Sequence, residues 1–459
     1  MNTTIAVISD PPSVGGPKMF RVGTLQYTQQ DLYVLFFWLM WNDFMITLLE
    51  QPGQFGFLLQ KANGATYTQL AVFGTIQTLL TFWINPVFST WSDRTRTRWG
   101  RRRPFLFLTT PPLALLIITM PYMPTVFHHL VRNPGWAAFF HHVPMNGAAF
   151  LIGVNGLLMA IFNAMVLAIF SYLYWDVVPQ DVLGRFNSLA KIVTSVLGII
   201  FNFFFLGLGQ HHMKSVCFGI SLFALVAYLF SVWKVKEGEY PPPDTHKKGG
   251  WIAPLRAYFI ECYSQPYYLW IFFAFVLYSL SNAGNQQKTN YVMNQLHLSW
   301  DLVGKLNSAP LLIAIFLGYF VGSITDRFHP VRIFPWLNLA WGLTCLGSYI
   351  FIAGAWSYFI WSSLTQVAMF AYGVAYGALL PEIYPREKLG QFCSACVLLQ
   401  ITVGSVLSIP LGEFWDWLND DRFAYLWSAI FLFAAMAAWF KVRRNHELRH
   451  GHIPVPHAG

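Results

Sequence analysis

A chain of 459 residues, 55% of them hydrophobic and only 11% charged, carries less than half the charge of a soluble domain, in which about a quarter of residues are charged. That composition excludes a soluble globular protein and indicates an integral membrane protein. The net charge of +9 would suit a nucleic-acid binder, but its placement along the chain excludes that partner.

The first 30 residues are polar, with no basic-then-apolar leader pattern, so the amino terminus is expected to stay in the cytoplasm. About 20 apolar residues cross a bilayer. Spans read at roughly 32–51, 68–90, 105–125, 149–174, 190–208, 217–234, 267–287, 303–322, 333–352, 358–380, 393–412 and 424–441. That makes an all-α membrane protein of twelve transmembrane helices with both termini inside. The expected organisation is a cytoplasmic segment 1–30, a six-helix bundle 31–234, a cytoplasmic linker 235–265, a second six-helix bundle 266–441 and a cytoplasmic tail 442–459. Only Lys61, Arg132, Lys214, Lys288, Lys305 and Arg422 then fall outside, leaving 23 of the 29 Lys and Arg on one side. This is positive-inside bias, and it predicts a multi-pass protein of the cell membrane. Glu413 and Asp416, at the outer end of helix 11, are expected to be surface charges.

Intramembrane ionisable residues are costly and usually functional. Asp43 lies near the centre of the first span, in Trp41-Asn42-Asp43-Phe44, and Glu50 follows seven residues on, within about 20° of the same helical face. A carboxyl raised in pKa by desolvation suits proton loading and release. Sodium is the other candidate, with Asn42 or backbone carbonyls completing an oxygen shell. Cation coupling is therefore expected at Asp43, Glu50 and Asn42, with a structural hydrogen-bonded acid as the alternative. Trp38 and Trp41 flank the Asp43 face and offer apolar stacking for a sugar ring.

Ser92–Phe105 reads SDRTRTRWGRRRPF, a basic cluster between two spans. The two halves repeat one another there and elsewhere. Pro179–Phe186 aligns with Pro385–Phe392, and Ser92-Asp93-Arg94 with Thr325-Asp326-Arg327. Helix 7 ends in Ser281-Asn-Ala-Gly-Asn-Gln-Gln-Lys-Thr-Asn290, too polar to face lipid, so it lines a cavity or reaches water. Gly284 is a candidate break and outer gate. Amides present both donors and acceptors, the chemistry that grips vicinal hydroxyls. Asn282, Asn285 and Gln286, with Gln77, Asn155, Asn163 and Gln366 from other helices, form the candidate substrate-binding set. The histidine pairs at 128–129, 141–142 and 211–212 fall in outer loops, where solvation is the simpler reading and metal binding or sensing of outside pH the alternative. Cys393 and Cys396 form a CxxC at the start of a span with no second pair, and read as small packing residues; no metal site is expected.

The acid–Arg pair followed by Gly100-Arg101-Arg102 resembles the loop between helices 2 and 3 of the major facilitator superfamily. The resemblance implies two pseudo-symmetric six-helix bundles, a midplane substrate site, and a cytoplasmic gate formed by Asp93, Arg94, Gly100, Arg101, Asp326 and Arg327. The pattern departs at Ser89, where the superfamily usually has glycine; Gly322 keeps it in the second half. The full string DRTRTRWGRRRPF is similar to the glycoside–pentoside–hexuronide:cation symporters and the sucrose/proton symporters. That likeness implies uptake of a sugar or glycoside driven by protons or sodium. Members of those families carry acids in helices 2 or 4, which here hold none in the membrane interior. The alternatives are an exporter or lipid/drug transporter on the same fold, or a non-transporting sugar sensor. An enzyme is not expected, since no nucleophile–base pair or phosphate loop occurs. No cofactor beyond a co-transported ion is expected, and the expected partners are the bilayer and a small solute, with the chain monomeric.

Overall fold

In the computed structural model the described residues are 19–22, 24–95, 97–238, 252–313, 329–385 and 388–450. A short hairpin, β1 (Phe20–Val22) and β2 (Leu25–Tyr27), pairs Phe20 with Tyr27. Everything after it is helical. The first half holds α1 (Gln29–Glu50), α2 (Gly53–Ala62), α3 (Tyr67–Arg94), α4 (Arg103–Thr119), α5 (Met123–Leu130), α6 (Pro134–His141), α7 (Gly147–Val177), α8 (Gln180–Ile200) and α9 (Leu206–Lys234). The second half holds α10 (Ile252–Tyr263), α11 (Pro266–Ser281), α12 (Asn285–Asn290), α13 (300–313), α14 (Pro330–Phe351), α15 (Ala355–Ile383), α16 (Leu389–Leu418) and α17 (Phe423–His450).

Each expected span holds helix; for the eighth, the part beyond residue 313 lies outside the described residues. Among the described residues, seven segments are long and apolar enough to cross a membrane by themselves. Several helices start where a side chain satisfies a free N–H group. Thr28 and Asp31 form a reciprocal capping box at α1, and Thr66 and Gln69 another at α3. Asn146 Oδ1 accepts from Ala148 N at the start of α7. Helix 1 runs longer than the hydropathy suggested, because α2 continues it after a break at Gln51-Pro52. Helices 5 and 6 run on through a π-helical turn at Phe201–Phe205 and a kink at His212.

Two large apolar clusters fill the helices, the first centred in the first half but reaching Tyr291, Val303 and Tyr358 of the second. Leu39, Met45, Ile169 and Tyr228 anchor the first, where α1 and α4 pack on α9 and α4 on α7. Phe272, Phe334, Leu432 and Trp439 anchor the second, where α11 and α14 pack on α17. Exposed Phe37, Leu108, Val226, Ile360 and Val406 point outward from the helices, as lipid requires. The halves meet along α3 and α16, and where α13 crosses the π-turn. Backbones touch at both places: a Cβ on Gly412 would sit 2.7 Å from Thr68 Cα, and one on Gly304 2.0 Å from the Asn202 carbonyl oxygen. Small residues permit such approach between membrane helices.

Candidate functional site

The broken helix 7 builds the centre of the molecule. After Ser281 the chain turns at 282–284, with Gly284 lying against Ala424, and restarts as α12. The restart presents Asn285, Gln286, Lys288 and Thr289 to a cavity of 560 Å³ between the halves. Gln54, Phe57 and Asn202 line it from the first half. Asn282, Asn307, Tyr358, Ser362, Thr365 and Gln366 line it from the second. Tyr358 donates to Asn307 Oδ1 at 2.6 Å, and Asn285 Nδ2 to Asn282 Oδ1 at 3.2 Å. Gln366 Oε1 is buried with no protein donor, a state that costs about 1–3 kcal/mol until something donates to it. Asn202 stands in the π-turn, an irregularity often found at functional positions.

A second cavity of 310 Å³ lies within the first half and shares Gly53, Phe57 and Gln286 with the first. Glu50, Gln77 and Asn163 line it. Asn163 Nδ2 donates to Glu50 Oε1 at 3.0 Å, and Asn163 Oδ1 is buried with no protein donor. Of the candidate residues, the structure thus gathers Asn282, Asn285, Gln286 and Gln366 at the central cavity and Glu50, Gln77, Asn163 and Gln286 at the adjoining one.

The others stand apart from both linings. Trp38 packs edge-on against Phe230, and Trp41 stacks between Phe37 and Phe44. Asn42 is fully buried and bonded to Ser231 of α9, and Asp43 acts electrostatically on the buried Tyr228. Asn155 Nδ2 donates to Thr119 Oγ1 at 3.1 Å, tying α7 to α4. The aromatics that do line the central cavity are Phe57, Trp341, Tyr358 and Tyr425, none of which carries a sequence signal. Lys288, counted with the outer charges at the polar end of helix 7, stands on α12 within the helical segment Pro266–Gln295, which runs on past the expected end at 287.

At the face that carries the arginine loop, the loop is clamped within the first half. Glu237 accepts from the backbone N–H of Arg101 (2.7 Å), Arg102 (3.0 Å) and Arg103 (2.8 Å), capping α4. Asp176, at the end of α7, pairs with Arg101 Nη2 at 2.6 Å and Arg102 Nε at 3.2 Å. Arg102 also bonds Ser92, and Arg103 donates to the Trp233 carbonyl at 2.7 Å. Gly100 has φ +104, and a Cβ there would meet the Glu237 carboxylate carbon at 2.6 Å. Of the expected gate, Gly100 and Arg101 belong to this clamp. Asp93 and Arg94 end α3, and Asp326 and Arg327 lie outside the described residues.

The opposite face holds a latch that the sequence did not suggest. Asp416 accepts from Tyr67 N (2.7 Å), Thr68 N (2.8 Å) and Thr68 Oγ1 (2.7 Å), so α16 caps α3 across the halves. Tyr67 OH donates to Asp421 Oδ1 at 2.6 Å, and Asn290 Nδ2 to Asp421 Oδ2 at 2.5 Å. Lys61 sits 3.7 Å over the Tyr67 ring. Deeper in, Thr75 and Ser408 hydroxyls bond directly. Asp416 is therefore not the surface charge expected of it, while Glu413 is exposed as read. The six paired histidines are exposed too, though on or at the ends of α5, α6 and α9 and not in loops, and among the described residues no cluster of His, Cys, Asp and Glu could hold a metal.

Comparison with known proteins gives the family. Residues 33–328 match the family described as MFS/sugar transport protein, MFS being the major facilitator superfamily. No curated protein matches the chain. Among solved structures, a bacterial homologue of the iron transporter ferroportin in an inward-facing state superposes with a TM-score of 0.65 at 13% identity, covering 90% of this chain and 99% of that one. A bacterial homologue of the human lysosomal transporter Spinster gives 0.64 at 11%, covering 93% and 100%. The nucleoside transporter NupG gives 0.61 at 10%, covering 89% and 98%. At such identities these likenesses show the fold. The family match spans more than half of the chain, and the chain belongs to the MFS/sugar transport protein family, an all-α membrane transporter of the major facilitator fold.

Proposed function

We propose that the protein takes up a hydroxylated solute of the sugar or glycoside class by alternating access, driven by a co-transported cation. The observation that carries this reading is the 560 Å³ cavity between the halves, lined by amides from both and by hydroxyls from the second. Such a lining trades hydrogen bonds with a polyol, and unpaired Gln366 Oε1 awaits a donor. A lipid or drug carrier would want a more apolar wall. The positive-inside bias supports placing the arginine-loop face in the cytoplasm of a cell membrane. The latched α3–α16 contact then closes the outside, as in a state that delivers solute inward.

Coupling falls to Glu50, the carboxylate that lines the cavity adjoining the substrate. Asp43 and Asn42 serve the α1–α9 contact. With one coupled charge, roughly 2.3 kcal/mol per 100 mV becomes available, about 50-fold accumulation. In proteoliposomes with an imposed proton or sodium gradient, the native protein is expected to accumulate a labelled sugar. Glu50→Gln is expected to equilibrate it without accumulation while retaining exchange, and Asp43→Asn to keep accumulation. Accumulation that survives in Glu50→Gln and vanishes in Asp43→Asn would move coupling to Asp43. No transport of any sugar under either gradient would overturn the substrate class.

A further inference from the structure

Lys288 is the one charged side chain among the described residues that line the central cavity. Its Nζ donates to Asn285 Oδ1 at 3.0 Å and stands 5.7 Å from the centre of the Tyr425 ring. Among the described residues no carboxylate pairs with it. Of the acids on the same side, Asp421 is bonded to Tyr67 and Asn290, Asp420 to the Arg422 amide and Asp416 to Tyr67 and Thr68, while Glu413 is exposed on α16. Glu50, in the adjoining cavity, is bonded to Asn163.

An ammonium group has three donors, and here Asn285 Oδ1 takes one of them. A neutral polyol would be gripped by the amides alone. We propose that Lys288 is the anion subsite of this cavity, so that the preferred solute is an acidic polyol. Its hydroxyls meet Asn282, Asn307 and Gln366, while its carboxylate or phosphate ester supplies the missing counter-charge. This rests on the reading of the cavity as the substrate site.

The test compares glucose, glucuronate and glucose 6-phosphate by calorimetry on the purified full-length protein and on Lys288→Gln and Lys288→Arg, with thermal melting to confirm folding. Native protein is expected to bind at least one of the two acids tenfold or more tighter than glucose. Lys288→Gln should bring that ratio to within about twofold of one, and Lys288→Arg should keep it above about fivefold. A gain for glucuronate identifies a carboxylate, and a gain for the phosphate alone identifies a phosphate ester; both support the subsite. Equal affinity for glucose and both acids, or a preference that survives in Lys288→Gln, overturns it and leaves the polyol cavity standing. Binding of none of the three overturns both.

Discussion

Gly100 shows how a single backbone angle can hold a basic loop in shape. Its φ of +104 lies where a side chain is strained, and the space a Cβ would need is filled by the Glu237 carboxylate that caps α4. Gly100→Ala is expected to cost about 2 kcal/mol, from left-handed strain of about 1–2 kcal/mol and a displaced cap. Thermal unfolding in detergent reads this as a lower midpoint. Gly219→Ala is the control: that glycine lies mid-helix with nothing near its Cβ position, and alanine there is expected to stabilise by about 0.5–1 kcal/mol. The amides of helix 7 were legible in sequence because a membrane tolerates them only beside a cavity. The same polar run hid that the helical segment continues past Lys288 to Gln295. Trp38 and Trp41 share a face with Asp43 by spacing, but spacing does not say that this face meets Phe230 of α9.

At the scale of elements, hydropathy found the spans because each must supply its own apolar length. It missed α5 and α6, eight residues each, which are too short to register. The π-turns at Phe201–Phe205 and Tyr291–Gln295 were equally hidden, since an added residue in a turn leaves no periodic mark. Helix α10, inside the expected linker, docks on α16 by a Tyr263 hydroxyl to Ala395 O at 2.7 Å and by Glu261 to Lys388 and Gln391. Those side-chain bonds hold the Glu261 carboxyl below its ordinary value. A depressed carboxylate contributes above its unperturbed pKa of about 4.3, and the contribution is lost as pH falls through the lower folded value. Protection factors of the α10 amides, which remove the intrinsic pH dependence of exchange, are therefore expected to stay flat from pH 7 to about 5 and to fall below about 4. Glu261→Gln should remove the acid dependence. An α10 that loosens steadily from pH 7 downward would contradict this.

For the whole molecule, closure at one face rests on α3 against α16, partners 348 residues apart at Thr68 and Asp416. No local pattern reveals such a pairing; only the internal repeat hinted that the halves face one another. With Thr75 and Ser408 hydroxyls in direct contact, Thr75→Cys with Ser408→Cys should form a disulfide on a background lacking the five native cysteines. Oxidation is expected to cut transport at least tenfold, and reduction to restore it. Undiminished transport by the oxidised pair would mean that these helices need not part.

The cap that Asp416 places on α3 has a genetic consequence. On one side of the contact two of the three donors are main-chain amides of Tyr67 and Thr68, which no substitution but proline deletes; the third is the Thr68 hydroxyl. Lesions of the latch will therefore collect on α16, and revertants of an Asp416 mutant should restore an acceptor there or near it. Exchanging the two sides to rescue function, as is done for an ordinary ion pair, should fail.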